Sequence, residues 1–120
     1  MAKVVAIVGP TAVGKTALSL RVAQKFGGEV ISGDSMQVYR GLDIGTAKAT
    51  TEERSLVPHH LIDVKDIHDR FSVADFKVAA EREIDQIADR GHLPLVVGGT
   101  GFYLQALVEN LALGLSLIHI

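Results

Sequence analysis

The sequence predicts an α/β fold: a parallel sheet with flanking helices. Two observations carry that reading. Short apolar runs, bounded by glycine, alternate with amphipathic segments of helical period, the pattern of a parallel sheet with right-handed crossovers. The first such run, KVVAIV from Lys3 to Val8, breaks into Gly-Pro-Thr-Ala-Val-Gly and then opens a helix with Lys-Thr.

Each element has its own signal. Lys3 to Val8 is a β-branched run, read as a buried strand. Lys15 to Phe26 carries Leu18, Val22 and Phe26 on one face and stops at Gly27-Gly28, as a helix does. Glu29 to Ser32 is a second strand. Residues 33–58 have no clear period and read mostly as loop, and His60 to Val64 reads as a third strand. Ser72-x-x-Asp75 has the form of a capping box. It opens a helix with Val73, Phe76, Ala80, Ile84 and Ile87 on one face and Gly91 as its stop. Pro94 to Val97 is a further strand, running into Gly98-Gly99-Thr100-Gly101 and a helix from about Phe102. The final LSLIHI is apolar and uncapped. It reads equally as a natural C-terminal segment or as a non-native tail over residues 115–120 left by cloning.

Composition sets the outer limits. With 120 residues there is room for one small domain; 48% hydrophobic and 22% charged residues are ordinary globular values. No cysteine is present, which excludes disulfides and thiolate metal sites. The N-terminal apolar run is too short for a signal peptide and no stretch is long enough to span a membrane, so a cytoplasmic protein with no membrane partner is expected. A net charge of -2 offers no basic surface, which argues against nucleic-acid binding by this segment alone.

Three motifs carry chemistry. Gly9, Gly14, Lys15 and Thr16 fit G-x-x-x-x-G-K-[ST], the phosphate loop, between a predicted strand and a predicted helix. Gly9, Pro10, Thr11, Ala12, Val13 and Gly14 would turn backbone N–H groups toward an anion. Lys15 adds a full positive charge, and Thr16 offers a hydroxyl to Mg²⁺. The fold expected is therefore a P-loop core of the kind found in nucleoside triphosphate hydrolases. Asp34 follows the second strand, where the carboxyl ends of parallel strands line a crevice; as a residue of Gly33-Asp34-Ser35 it could equally be a turn former. Gly98 and Gly99 allow close backbone approach to a ligand, and Thr100 is either a hydroxyl for that ligand or a helix N-cap. The fourth strand ends in glycine, where a motor ATPase carries an acid. Two lesser features read as structural: the adjacent pair His59-His60, and Asp63.

GPTAVGKT at 9–16, DSMQVYRGLDIGTAK at 34–48, HHLIDV at 59–64, FSVADF at 71–76 and PLVVGGTGFYLQAL at 94–107 resemble the tRNA dimethylallyltransferase family. The resemblance runs from residue 3 to about residue 114, with Gly33 and Phe102 as small departures from the usual Ala and Leu. It implies an enzyme that transfers a dimethylallyl group from dimethylallyl diphosphate to N6 of adenosine-37 in tRNA. The loop at residues 9–16 would hold the diphosphate with Mg²⁺, Lys15 and Thr16 would take part in catalysis, and Asp34 would be the general base. Asp34, Ser35, Met36, Gln37 and Thr100 would contact the tRNA. The resemblance also implies that residues 1–114 are the N-terminal part of the catalytic core. The family's RNA-gripping helical domain is absent, so the chain alone is expected to be inactive. A small-molecule P-loop kinase and an adenylate isopentenyltransferase are the alternative readings, and a fragment that only binds diphosphate is a third.

Overall fold

The structure, a computed structural model, describes residues 4–8, 15–33, 40–41, 50–66, 70–98 and 115–119, with backbone alone for residues 15, 16 and 115–119. In chain order the elements are β1 (Val4–Val8), α1 (Lys15–Phe26), β2 (Gly28–Ser32), α2 (Thr51–Leu56), β3 (His59–His60), α3 (Val73–Asp89), β4 (Leu93–Gly98) and β5 (Leu115–His119). The strands form one sheet in the order β3-β2-β4-β1-β5, and every pair is parallel. The α/β parallel architecture is the one expected.

Side chains alternate between two cores, one on each face of the sheet. Val4, Val8, Ile31 and Val96 pack with Phe76, Ala80, Ile84 and Ile87 of α3, joined by Leu61 and Phe71. Ile7, Val30 and Leu95 pack with Ala23 of α1 and with Val57. A strand covered on both faces has to be apolar at every position, which is why VVAIV and LPLVV show no alternation.

α3 is built as its sequence predicts. Ser72 Oγ accepts from the Asp75 N–H at 3.1 Å, and Asp75 Oδ2 accepts from the Ser72 N–H at 2.9 Å. At the other end Gly91 takes φ 78°, and the His92 N–H reaches back to the Ile87 carbonyl at 3.1 Å, closing the helix. α1 has the predicted bounds, and Leu18 and Val22 of its predicted face are half-buried against the core. Ser19 and Ala23 are its buried residues, while Phe26 is 62% exposed beside the Lys25 ammonium. Small residues at i and i+4 let the helix lie close on β2, so the large side chains are displaced to its flanks.

Two expectations are corrected. Within the predicted loop 33–58, Thr51–Leu56 is helical: Thr50 Oγ1 accepts from the Glu53 N–H at 3.1 Å, and Glu53 Oε1 accepts from the Thr50 N–H at 2.7 Å. The third strand is His59–His60 instead of His60 to Val64, because Leu61 (φ 62°) and Asp63 (φ 57°) are left-handed and end the extended backbone. Residues 115–119 form β5 beside β1. The helix expected from about Phe102 lies outside the described residues.

At the amino end of β2, Glu29 is only 3% exposed. Its Oε1 accepts from His60 Nε2 at 2.7 Å and Arg90 Nη2 at 2.8 Å, and its Oε2 accepts from Arg90 Nε at 3.0 Å and His92 Nδ1 at 2.6 Å. His60 Nδ1 also lies 3.2 Å from Glu83 Oε2 on α3. One carboxylate thus ties β2, β3, the end of α3 and the entry to β4.

Candidate functional site

The candidate site is the carboxyl edge of the sheet, and the strand register defines it. Val8, the last residue before the phosphate loop, pairs with Gly98, the last residue of β4. Ser32, the end of β2, pairs with Val97. The Gly33 N–H then donates to the Val97 carbonyl at 2.7 Å, carrying the pairing one residue past the strand to the point where Asp34 begins. The chain therefore leaves β1, β2 and β4 at one level, in three neighbouring strands.

The topology makes a crevice at that level. From β1 the chain goes by way of α1 to β2, on the far side of β4. From β4 it goes to β5, on the far side of β1. Adjacent strands whose connections depart in opposite directions open a crevice at their carboxyl ends, where ligands of open α/β sheets bind. β1 and β4 are such a pair, and the loop 9–14 and Gly99-Thr100 issue from them.

The glycine at the end of β4 has a defined task. A Cβ on Gly98 would stand 3.1 Å from both the carbonyl carbon and oxygen of Gly33. Gly98 thus permits a close approach to the backbone of Gly33. Gly33 and Gly98 form a side-chain-free seam between β2 and β4. Sequence reasoning assigned Gly33 no role; the only signal was its place directly before Asp34.

Of the site residues named from the sequence, Lys15 and Thr16 are the first two residues of α1, so the helix N-terminus begins where a phosphate loop requires. Gly9, Pro10, Thr11, Ala12, Val13 and Gly14 lie outside the described residues, as do Asp34, Ser35, Met36, Gln37 and Thr100. The structure describes the roots of these segments: Val8 and Lys15 for the first, Gly33 for the second, Gly98 for the third.

The lesser features have structural partners. Asp63 Oδ2 pairs with Arg54 Nη1 at 3.0 Å, joining the turn after β3 to α2. His59 Nδ1 donates to the Val57 carbonyl at 2.7 Å, and burial pushes the pKa of its ring below the ordinary histidine value. No helix among the described residues is long and apolar enough to cross a membrane.

Known proteins agree with this arrangement. The family model for IPP transferase matches residues 37–116. A tRNA dimethylallyltransferase of Limosilactobacillus fermentum is 99% identical over 114 residues, 95% of this chain and 37% of that protein. One from Limosilactobacillus reuteri is 69% identical over the same length. Among solved structures, the full-length tRNA isopentenylpyrophosphate transferase of Bacillus halodurans superposes with a TM-score of 0.87 at 60% identity, covering 95% of this chain and 38% of that one. A eukaryotic dimethylallyltransferase acting on tRNA gives 0.83 at 45% identity, covering 89% of this chain and 27% of that one. The chain spans a little over a third of the length of the curated relatives it matches, and within that span it belongs to the IPP transferase family.

Proposed function

We propose that this chain carries the diphosphate-holding and proton-accepting part of a tRNA dimethylallyltransferase. The observation that supports it most is the common level at which β1, β2 and β4 end. It brings the roots of the phosphate loop and of the Asp34 segment to one edge of the sheet, on strands separated only by β4. The relatives named as tRNA dimethylallyltransferases support the substrate pair: dimethylallyl diphosphate and tRNA.

In this reading the allylic C–O bond of the donor breaks and its electron pair leaves with the diphosphate. The N–H groups of residues 9–14, the α1 N-terminus and Lys15 stabilise the charge that develops. N6 of adenosine-37 forms the new C–N bond, and Asp34 takes the proton that N6 gives up, which demands hydrogen-bond reach. The base has to leave its stack to enter the crevice. Thr16 is the one protein oxygen assigned to Mg²⁺; a hydroxyl with diphosphate oxygens is the hard-oxygen donor set that this ion prefers. Bound there, Mg²⁺ would supply further neutralisation of the diphosphate. A tRNA substrate suits a cytoplasmic location. With a net charge of -2 the chain brings no phosphate-attracting surface of its own, so grip on tRNA belongs to the part of the relatives it does not span.

Calorimetry on this chain tests the reading. Dimethylallyl diphosphate with Mg²⁺ should bind, and Lys15→Ala should weaken binding by about 2 kcal/mol, the loss of a charge-assisted contact. Unchanged affinity in that variant, or preference for ATP over the diphosphate, would overturn it.

A further inference from the structure

Two anchors bracket the Asp34 segment. At its near end the Gly33 N–H donates to the Val97 carbonyl of β4 at 2.7 Å. At its far end the Arg40 N–H donates to the Lys65 carbonyl at 2.8 Å, and Arg40 Nη1 donates to Asp66 Oδ1 at 2.8 Å. Backbone and side chain of one residue thus grip two successive residues of the connection between β3 and α3. That connection is itself braced. Leu61 and Ile62 are buried, and Asp63 pairs with Arg54 of α2 at 3.0 Å.

The Arg40–Asp66 pair adds little to folding. Its side chains are 56% and 67% exposed, and an ion pair so open is screened by water and salt. Its effect is local. Fixing a short segment at both ends removes most of the conformations its interior could otherwise take. Residues 34–39 lie between the anchors, and they begin with Asp34 and include Ser35, Met36 and Gln37.

We propose that Arg40 and Asp66 are a positioning pair for prenyl transfer, pinning the far end of the segment that carries Asp34. They do no chemistry themselves; they hold that segment so that Asp34 meets N6 of the nucleotide in one geometry. The proposal rests on the reading of Asp34 as the base.

Single-turnover transfer of a labelled dimethylallyl group to tRNA tests it. The enzyme is residues 1–114 of this chain continued by the remainder of the Limosilactobacillus fermentum protein, which is 99% identical over 114 residues. Arg40→Ala should slow transfer about tenfold, because a small misplacement of a reacting group is costly in rate. The Kd for dimethylallyl diphosphate and the urea midpoint should hold, since the phosphate loop issues from β1 and the pair is exposed. Asp66→Ala should slow transfer by the same factor, and the double variant should be no slower than either, as for two members of one contact. Arg40→Lys should keep most of the rate: the contact runs through one nitrogen, which an ammonium can replace. A rate within about twofold of the unaltered enzyme in Arg40→Ala overturns the proposal, as do losses that multiply in the double variant. Slowing in Arg40→Ala but not in Asp66→Ala also overturns it, by showing that the guanidinium serves the RNA directly. Asp34→Asn separates the pair from the reading beneath it and should slow transfer about 100-fold or more. If Asp34→Asn is slow while Arg40→Ala is not, only the pairing fails; if Asp34→Asn transfers at the unaltered rate, the base reading fails and the proposal with it.

Discussion

The two ends of this sheet are built from opposite materials. At the amino end of β2 a single buried carboxylate, Glu29, gathers His60, Arg90 and His92 from three other segments. At the carboxyl end, Gly33 and Gly98 meet through backbone alone, with a spacing that a single methyl group would disturb. The difference separates two tasks. Side-chain networks fix the positions of strands and helix ends, and here they stand away from the ligand crevice. At the crevice edge Gly33 and Gly98 meet without side chains, which keeps the ends of β2 and β4 close together.

The largest effect should follow from breaking the amino end. The Arg90 guanidinium holds the Glu29 carboxyl down at about 2, against the opposing effect of burial and with help from His60 and His92. Relative to an unfolded value of 4.5, that is on the order of 3 kcal/mol of folding stability. The sign follows from the direction of the shift. A depressed carboxyl contributes fully above the unfolded pKa, and the contribution is lost as pH falls from about 4.5 toward 2. Glu29→Ala should cost about 3 kcal/mol in urea denaturation at pH 7 and should flatten the acid limb of the stability profile. Diphosphate affinity of the folded variant should stay within about twofold at pH 7 if the two ends are energetically separate. A parallel loss of affinity would show that the Glu29 network and the crevice are one unit.

Gly98→Ala is the converse experiment. The added Cβ would press on the Gly33 backbone at 3.1 Å, so β2 and β4 must part by a few tenths of an ångström. A stability loss of about 1–2 kcal/mol is expected from such overpacking. Diphosphate affinity should fall as well, by about tenfold, because Gly98 also pairs with Val8, the root of the phosphate loop. Here the comparison is sharpened by the ratio: Glu29→Ala moves stability alone, whereas Gly98→Ala moves both.

The two ends also differed in how far the sequence disclosed them. α1, α3, β1, β2 and β4 were legible because each is bounded by a glycine, a cap or a change of period. The crevice edge was legible because the phosphate loop has a fixed place between strand and helix. α2 was not, since none of its residues is buried and it shows no apolar period; its Thr50-x-x-Glu53 box was the one available signal. β3 was misplaced because the left-handed turns at Leu61 and Asp63 fall on residues that do not announce them. The Glu29 network was invisible: its members lie 31 to 63 positions apart, and only the sheet order brings them together. The seam between Gly33 and Gly98 was hidden for the same reason.

The smallest predicted effect is a control placed away from both ends. Ser72 caps α3, with its hydroxyl on the Asp75 N–H and the Asp75 carboxylate on its own N–H. The carboxyl of Asp75 is held below its usual value first by the Ser72 backbone N–H and then by the Ser72 hydroxyl, so the two groups support each other. Ser72→Ala deletes the hydroxyl's bond and leaves the carboxylate's in place. The expected cost is about 1 kcal/mol, the usual loss for an exposed serine cap. α3 is buried along Phe76, Ala80, Ile84 and Ile87, and all of these but Phe76 lie beyond its first turn. The loss should therefore appear in the urea midpoint with the slope unchanged, and diphosphate affinity should not move. A changed slope, or affinity falling with stability, would mean that the first turn of α3 is coupled to the crevice, and the division between the two ends would fail.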